Sequence, residues 1–138
     1  MSERAAPPAI RASGASFTYA GADRAAFRDL ELEVEPGSVL LVVGPSGSGK
    51  STFARGLAGL LPWQLPGEWQ GSLTVGGVDV ASARPTTTRA LGAGIVLQDP
   101  QRQLVMERVG DDVAFGLENA AWPLDAMRAR VPEVLASV

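Results

Sequence analysis

The chain has 138 residues, of which 46% are hydrophobic and 20% charged, with no cysteine and no histidine. This length fits one small domain or part of a larger one. Without cysteine the chain has no disulfide scaffold or zinc–thiolate site, and without histidine it lacks the commonest general base and transition-metal ligand. The net charge of −3 gives no basic footprint for nucleic acid, so we expect no nucleic-acid partner.

The first part of the chain predicts a flexible leader followed by β-strands. Residues 1–9 are rich in Ala and Pro and lack the pattern of a signal peptide, and no apolar run is long enough to span a bilayer. A strand is predicted for Ile10 to Tyr19 and a second, with alternating Leu, Val and acidic residues, for Phe27 to Glu35. The unbroken apolar run Val39 to Val43 is typical of a strand covered on both faces.

The middle of the chain predicts a helix and then further strands. Ser51 to Leu61 shows an apolar helical face and is expected to stop at Pro62. Residues 62–71 are predicted to form a connection. A hairpin is expected for residues 73–80 because Gly76 and Gly77 accept the backbone of a primed turn. Residues 94–97 predict another short buried strand.

The last part of the chain has helical periodicity. Val109, Val113 and Leu117 share one face of a predicted helix. A second helix is predicted from Leu124 to Leu135, although an interior Pro132 is expected to kink or end it.

Residues 44–52 read GPSGSGKST and match the phosphate-loop pattern of Gly, four residues, Gly, Lys and Ser or Thr. Glycines let backbone amides curl around a phosphate, and the helix that follows directs its free amides and positive dipole end at that anion. Lys50, the only lysine beside eleven arginines, suits the β- and γ-phosphates, and the Ser51 hydroxyl suits Mg²⁺. The predicted phosphate-binding residues are Gly44, Pro45, Ser46, Gly47, Ser48, Gly49, Lys50, Ser51 and Thr52.

The strands before this loop, together with GIVLQDP at residues 94–100, resemble the ATP-binding subunit of ABC transporters. The resemblance implies that Tyr19 stacks on adenine and that Gln98, in the Q-loop, ligates Mg²⁺ and orients a water molecule. Lys50 and Gln98 are then the predicted catalytic residues, with ATP and Mg²⁺ bound. The alternatives are an ordinary half-buried strand aromatic at Tyr19 and a polar residue at a strand end at Gln98.

Two further runs, QDPQRQL at 98–104 and DDVAFGLEN at 111–119, are similar to the ATPases of energy-coupling-factor importers. These take up metal ions or vitamins. The implied partners are transmembrane subunits, contacted through the Q-loop and the helical region, and a second ATPase domain. The implied location is cytoplasmic and peripheral, on the inner face of the cell membrane.

The resemblance implies an α/β fold of the P-loop NTPase class, ABC ATPase type. The predicted parts are a leader at 1–9, a nucleotide-binding core with an antiparallel β subdomain at 10–97, and the Q-loop with the beginning of a helical subdomain at 98–138. The signature, Walker B and switch-histidine motifs of the family do not occur in these residues. We therefore expect a truncated domain that does not hydrolyse ATP alone.

Other interpretations stay open. The chain can also be a non-catalytic nucleotide-binding or interaction module, or a soluble nucleotide kinase. The three tryptophans are interpreted as packing on core edges, with partner anchoring as the alternative; they are Trp63, Trp69 and Trp122. Three acids are interpreted as helix N-terminal charges rather than a metal cluster; they are Asp99, Asp111 and Asp112.

Overall fold

The computed structural model describes residues 8–85 and 92–138. The chain divides into two compact units, Met1–Ile95 and Val96–Val138, and each is considered by itself. Residues 1–7 of the predicted leader lie outside the described residues. The three predicted domain ranges stay predictions.

The first unit is built on an antiparallel sheet of four strands in the order β2-β1-β3-β4. The strands are β1 (Ile10–Tyr19), β2 (Phe27–Val34), β3 (Gly67–Val75) and β4 (Val78–Asp79). The predictions for β1, β2 and the hairpin are confirmed. The prediction of a connection at 62–71 is wrong for its second half, because residues 67–71 belong to β3 and residues 67–70 pair with β1.

Glycines set two features of this sheet, the turn between β3 and β4 and a bulge between β1 and β3. Gly76 and Gly77, with φ of 55° and 81°, form the two-residue turn between β3 and β4. The register between β1 and β3 shifts between Ser13 and Ser16, a bulge opposite Gly71. A Cβ on Gly71, which has φ of 67°, would collide with the carbonyl of Gly14, so the bulge requires glycine there.

The core of this unit forms where helix α1 (Lys50–Leu57) packs on the sheet. Trp69 of β3 lies against Gly56 of α1, where a Cβ would come within 2.8 Å of the indole ring. The Trp69 ring also contacts Phe17 and Phe27, as the core-packing interpretation predicts. The buried residues of the core cluster are Ala12, Ala15, Phe53, Leu73 and Val80.

Helix α1 ends four residues earlier than predicted, and the cause is Gly59 rather than Pro62. Gly59 has φ of 68°. Its N–H donates to the Gly56 carbonyl at 2.8 Å, and the Leu60 N–H donates to the Arg55 carbonyl at 3.0 Å. This pair of bonds is the Schellman motif, in which a left-handed glycine satisfies the last helical carbonyls.

The two buried strands predicted for residues 39–43 and 94–97 are absent, and both predictions are wrong. Val39, Leu41 and Val43 are 97%, 81% and 77% exposed, and Val96 is 81% exposed. Neither segment belongs to a strand of the described sheet. The physical reason is that strand backbone needs an adjacent strand to satisfy its N–H and C=O groups, and no described strand lies beside either segment.

The second unit contains a short 3₁₀ helix (Pro100–Gln103) followed by two α-helices, α2 (Val109–Glu118) and α3 (Leu124–Ala136). Helices α2 and α3 pack against each other, and Met127 of α3 is buried. Both helices were predicted. The expectation that Pro132 would kink or end the second helix is wrong in its stronger form, since α3 continues through it to Ala136.

Candidate functional site

The phosphate-loop sequence forms a curled backbone between residue 43 and helix α1. Gly47 and Gly49 have φ of 79° and 89°, in the region that favours glycine. The Ser48 N–H donates to the Pro45 carbonyl at 3.3 Å, which closes a turn inside the loop. A Cβ on Gly49 would also collide with the carbonyl of Ala26, between β1 and β2. The loop therefore lies directly against the end of the sheet, an approach that only glycine permits.

The Lys50 side chain folds back over this loop. Its Nζ donates to the carbonyls of Gly44 and Pro45, each at 2.7 Å, and to Ser48 Oγ at 3.3 Å. An ammonium group has three donors, so these three bonds fix its position. The positive charge thus lies against the loop, among the residues predicted to hold phosphate.

The first turn of α1 supplies donors for an anion. The N–H groups of its first residues have no acceptor within the helix, and the turn contains no acidic residue. The positive end of the helix dipole adds to the charge of Lys50. Ser51 in this turn is exposed, whereas Thr52 is buried. Both hydroxyls belong to the same turn as the free amides. The turn therefore offers N–H donors for an anion and hydroxyl oxygens for a metal ion bound to that anion.

Tyr19 lies at the end of β1 and reaches the same helix turn. Its hydroxyl is 3.0 Å from Thr52 Oγ1. Its ring meets the Phe17 ring edge-on, with centroids 5.1 Å apart. The structure therefore brings Tyr19 together with the loop and the first turn of α1. The sequence pointed to Tyr19 and Thr52 separately but not to their contact, since no spacing rule links a strand end to a helix 33 residues later.

The second unit holds Gln98, which is exposed. The residue before it is tied down, because the Leu97 N–H donates to Gln103 Oε1 at 2.9 Å. The Arg102 guanidinium pairs with Asp99 at 2.9 Å. The sequence does not predict this contact, because a glutamine at the end of a 3₁₀ turn carries no signal that identifies its partner.

Asp112 fixes the segment between the 3₁₀ helix and α2. Its Oδ1 accepts the Val105 N–H at 2.8 Å and the Met106 N–H at 3.0 Å. These two bonds hold the pKa of the Asp112 carboxyl below its ordinary value. Asp111 and Asp112 lie in the first turn of α2 and Asp99 precedes the 3₁₀ helix, as the interpretation of these acids as helix N-terminal charges predicts. Among the described residues, no group of three or more acids is placed to hold a metal ion.

The residues present fit ATP and Mg²⁺. The loop offers a glycine-permitted cradle, an ammonium group and free helix amides, which suit a triphosphate. Mg²⁺ is commonly held by few protein oxygens together with phosphates and water. The Ser51 hydroxyl is an oxygen of this kind, so the first unit needs no acidic cluster to fit the ion.

Comparisons with known proteins agree with this geometry. The family model described as ABC transporter matches residues 27–138. A Vibrio vulnificus protein, provisionally named an ABC transporter ATP-binding protein, is 42% identical over 111 residues, 80% of this chain and 19% of that protein. A Bacillus subtilis protein, provisionally named the HMP/thiamine import ATP-binding protein YkoD, is 38% identical over 120 residues, 87% of this chain and 22% of that protein.

The fold has a counterpart among solved structures. A bacterial Atm1-family ABC exporter with ATP bound matches with a TM-score of 0.59 and 33% identity, over 82% of this chain and 19% of that chain. This chain thus spans about a fifth of the length of these proteins. Among the described helices, none has the length and hydropathy needed to cross a bilayer.

The family of the chain follows from these findings. Residues 27–138 match the family model, and residues 44–52 form a phosphate loop. The chain therefore belongs to the ABC transporter family as an ATP-binding domain with the ABC ATPase fold.

Proposed function

We propose that this chain is the nucleotide-binding part of an importer ATPase that binds the phosphates of ATP at residues 44–52. The observation that carries the proposal is the position of the Lys50 ammonium, which lies 2.7 Å from two carbonyls of the loop and belongs to the first residue of α1, where the free amides begin. Membership of the ABC transporter family supports ATP as the nucleotide bound. The ring of Tyr19 is the proposed platform for adenine.

Each residue has a distinct part in this proposal. Lys50 exchanges its bonds to the loop carbonyls for bonds to the β- and γ-phosphates, while the first-turn amides of α1 donate to the same anion. The Ser51 hydroxyl and the Gln98 amide hold Mg²⁺, which neutralises phosphate charge when bound. Gln98 also orients a water molecule. Because hydrolysis needs further groups to polarise that water, we expect no turnover by these 138 residues alone.

Calorimetric titration of the full chain with ATP and Mg²⁺ tests the phosphate site. Lys50→Ala removes hydrogen bonds from a charged donor and should weaken ATP binding by about 10- to 100-fold. Arg55→Ala is the matched control, because it removes one positive charge from the last turn of the same helix. Equal ATP affinity in the wild type and Lys50→Ala would contradict the proposal. Phosphate release by the wild type that Lys50→Ala abolishes would contradict the expectation of no turnover.

We further propose that the domain works with transmembrane subunits and a second ATPase domain, on the cytoplasmic face of the membrane, in the uptake of a vitamin or metal ion. The similarity of residues 98–104 and 111–119 to energy-coupling-factor ATPases supports the importer class. The exposed apolar side chains of Leu104, Val105 and Val109 support a partner surface in the second unit. Among the relatives, the name of YkoD refers to import of HMP or thiamine.

Uptake measurements test the transported class. Cells that lack the gene should lose accumulation of one labelled compound among HMP, thiamine, Co²⁺ and Ni²⁺, and the restored gene should return it. Restoration with the Lys50→Ala gene should fail. Unchanged accumulation of all four compounds would contradict the proposed substrate class, while the ATP-binding measurement would stand independently.

A further inference from the structure

The hydroxyls of Tyr19 and Thr52 form a hydrogen bond of 3.0 Å between the end of β1 and the first turn of α1. Thr52 is 7% exposed, so its hydroxyl has little access to solvent. A buried hydroxyl that lacked this partner would lose its interaction with water without replacement. The bond therefore contributes to the geometry of the helix turn that carries the phosphate-binding amides.

Both partners are held in place by their surroundings. The backbone at Tyr19 is fixed because the Ala20 N–H donates to the Pro66 carbonyl and the Ala22 N–H to the Tyr19 carbonyl, each at 3.0 Å. The phenol ring packs edge-on against Phe17, which is fully buried. Thr52 is followed by Phe53, a core residue whose N–H donates to the Gly49 carbonyl at 2.8 Å. The two hydroxyls thus meet between rigid elements.

The direction of the bond follows from the chemistry of the two groups. A phenol is a stronger donor than an aliphatic alcohol, so the favoured arrangement has the Tyr19 O–H donating to Thr52 Oγ1. The hydrogen of the Thr52 hydroxyl is then left to make a second bond. Donation into an oxygen also strengthens that oxygen's own O–H as a donor, because hydrogen bonds in a chain polarise one another.

We propose that Tyr19 is a positioning residue for the phosphate subsite, because its hydroxyl directs the Thr52 hydroxyl toward the anion held at residues 44–52. This inference rests on the proposed function, that the loop binds the phosphates of a nucleotide. It differs from adenine stacking, since it uses the hydroxyl of Tyr19 rather than its ring and acts on a part of the ligand that contains no base.

Tripolyphosphate with Mg²⁺ separates the two roles, because this anion has no base to stack. Tyr19→Phe keeps the ring and removes only the hydroxyl. We expect Tyr19→Phe and Thr52→Val each to weaken tripolyphosphate binding about fivefold in calorimetric titration. The double variant should bind tripolyphosphate about as tightly as the weaker-binding single variant, because both changes remove the same chain of bonds. Thr52→Ser, which keeps the hydroxyl, should restore binding to near the wild-type value.

Thr18→Val is the matched control, since it removes a hydroxyl from the neighbouring position of β1 and should leave tripolyphosphate binding unchanged. Equal binding by the wild type and Tyr19→Phe, or additive effects in the double variant, would overturn the positioning role while ATP binding stands. A wild-type chain that binds neither ATP nor tripolyphosphate would overturn the proposed function, and the positioning role with it. Thermal unfolding of each variant shows that the compared proteins are folded.

Discussion

Strand β1 and residues 39–43 are both predicted as strands from the sequence, yet they differ in burial and in pairing. In β1, Ala15 and Phe17 are fully buried, whereas Val39 and Leu41 are 97% and 81% exposed. Strand β1 pairs with β2 on one side and β3 on the other, whereas residues 39–43 pair with no described strand. The comparison teaches that an extended apolar segment is stabilised by its neighbours, not by its own preference for β-structure.

The largest expected effect comes from truncating one side chain in each of these regions. Phe17→Ala should reduce the free energy of unfolding by about 3–5 kcal/mol, because it removes a fully buried ring that contacts Tyr19 and Trp69. Leu41→Ala should change it by less than about 0.5 kcal/mol, because that side chain already lies in water. Urea unfolding followed by Trp fluorescence and circular dichroism measures both.

A loss of stability at Leu41 comparable to that at Phe17 would break the comparison. It would mean that residues 39–43 are covered in solution, by another copy of the chain or by a rearranged sheet. Repeating the titration at several protein concentrations distinguishes these cases, since only association between copies makes the midpoint depend on concentration.

Gly49→Ala sharpens the comparison at the phosphate loop, which follows residues 39–43 in the chain and contacts the end of the sheet at Ala26. Gly49 has φ of 89° and touches the carbonyl of Ala26, so a methyl group adds both backbone strain and a collision. We expect a loss of about 1–3 kcal/mol in unfolding free energy and weaker ATP binding, because the collision displaces the first turn of α1.

Gly21→Ala is the control for this substitution. Gly21 has φ of 77°, but a Cβ there would meet nothing within 4 Å. It should lose about 1 kcal/mol from strain alone and keep its ATP affinity. Equal losses of stability and affinity at the two glycines would show that the loop does not depend on its contact with the sheet.

The same contrast explains how much of the fold the sequence could predict. Strands β1 and β2 alternate polar and apolar residues, and the hairpin carries its own turn glycines, so local patterns suffice. The run at 39–43 carries an equally strong β signal, but its pairing depends on which other segment lies beside it. The end of α1 is harder to predict because Gly59 and Pro62 are both possible terminators, and the structure shows that the glycine ends the helix.

The candidate site was predictable to the extent that its residues are contiguous. The spacing of residues 44–52 identified the loop, and the structure folds these residues into one cradle with Lys50 above it. Contacts between distant segments were not predictable. The Tyr19–Thr52 bond and the approach of Gly49 to Ala26 depend on how α1 rests on the sheet, which no local pattern encodes.

The smallest expected effect concerns an exposed apolar segment of the second unit, whose backbone is held by a side chain rather than by a strand. Leu104 and Val105 are 66% and 62% exposed and lie outside any strand, like residues 39–43. Here, however, the N–H groups of Val105 and Met106 are held by the Asp112 carboxylate. These bonds favour the ionised form and lower its pKa in the folded chain below the unfolded value. Their contribution is therefore complete above the ordinary pKa of an aspartate and is lost as pH falls through the lowered one.

An NMR titration from about pH 6 to about pH 2 should show the amide protons of Val105 and Met106 shifting together, with a midpoint below 3.8. Asp112→Asn should abolish this titration while keeping an oxygen that can accept, and Asp112→Ala should also raise the exchange rate of both amides. Asp111→Ala, at the exposed neighbouring position, should change neither. A titration of these two amides that persists in Asp112→Asn would contradict the role of this carboxylate. If the amides of residues 105 and 106 respond, one carboxylate satisfies the backbone N–H groups of this segment, whereas two neighbouring strands satisfy those of β1.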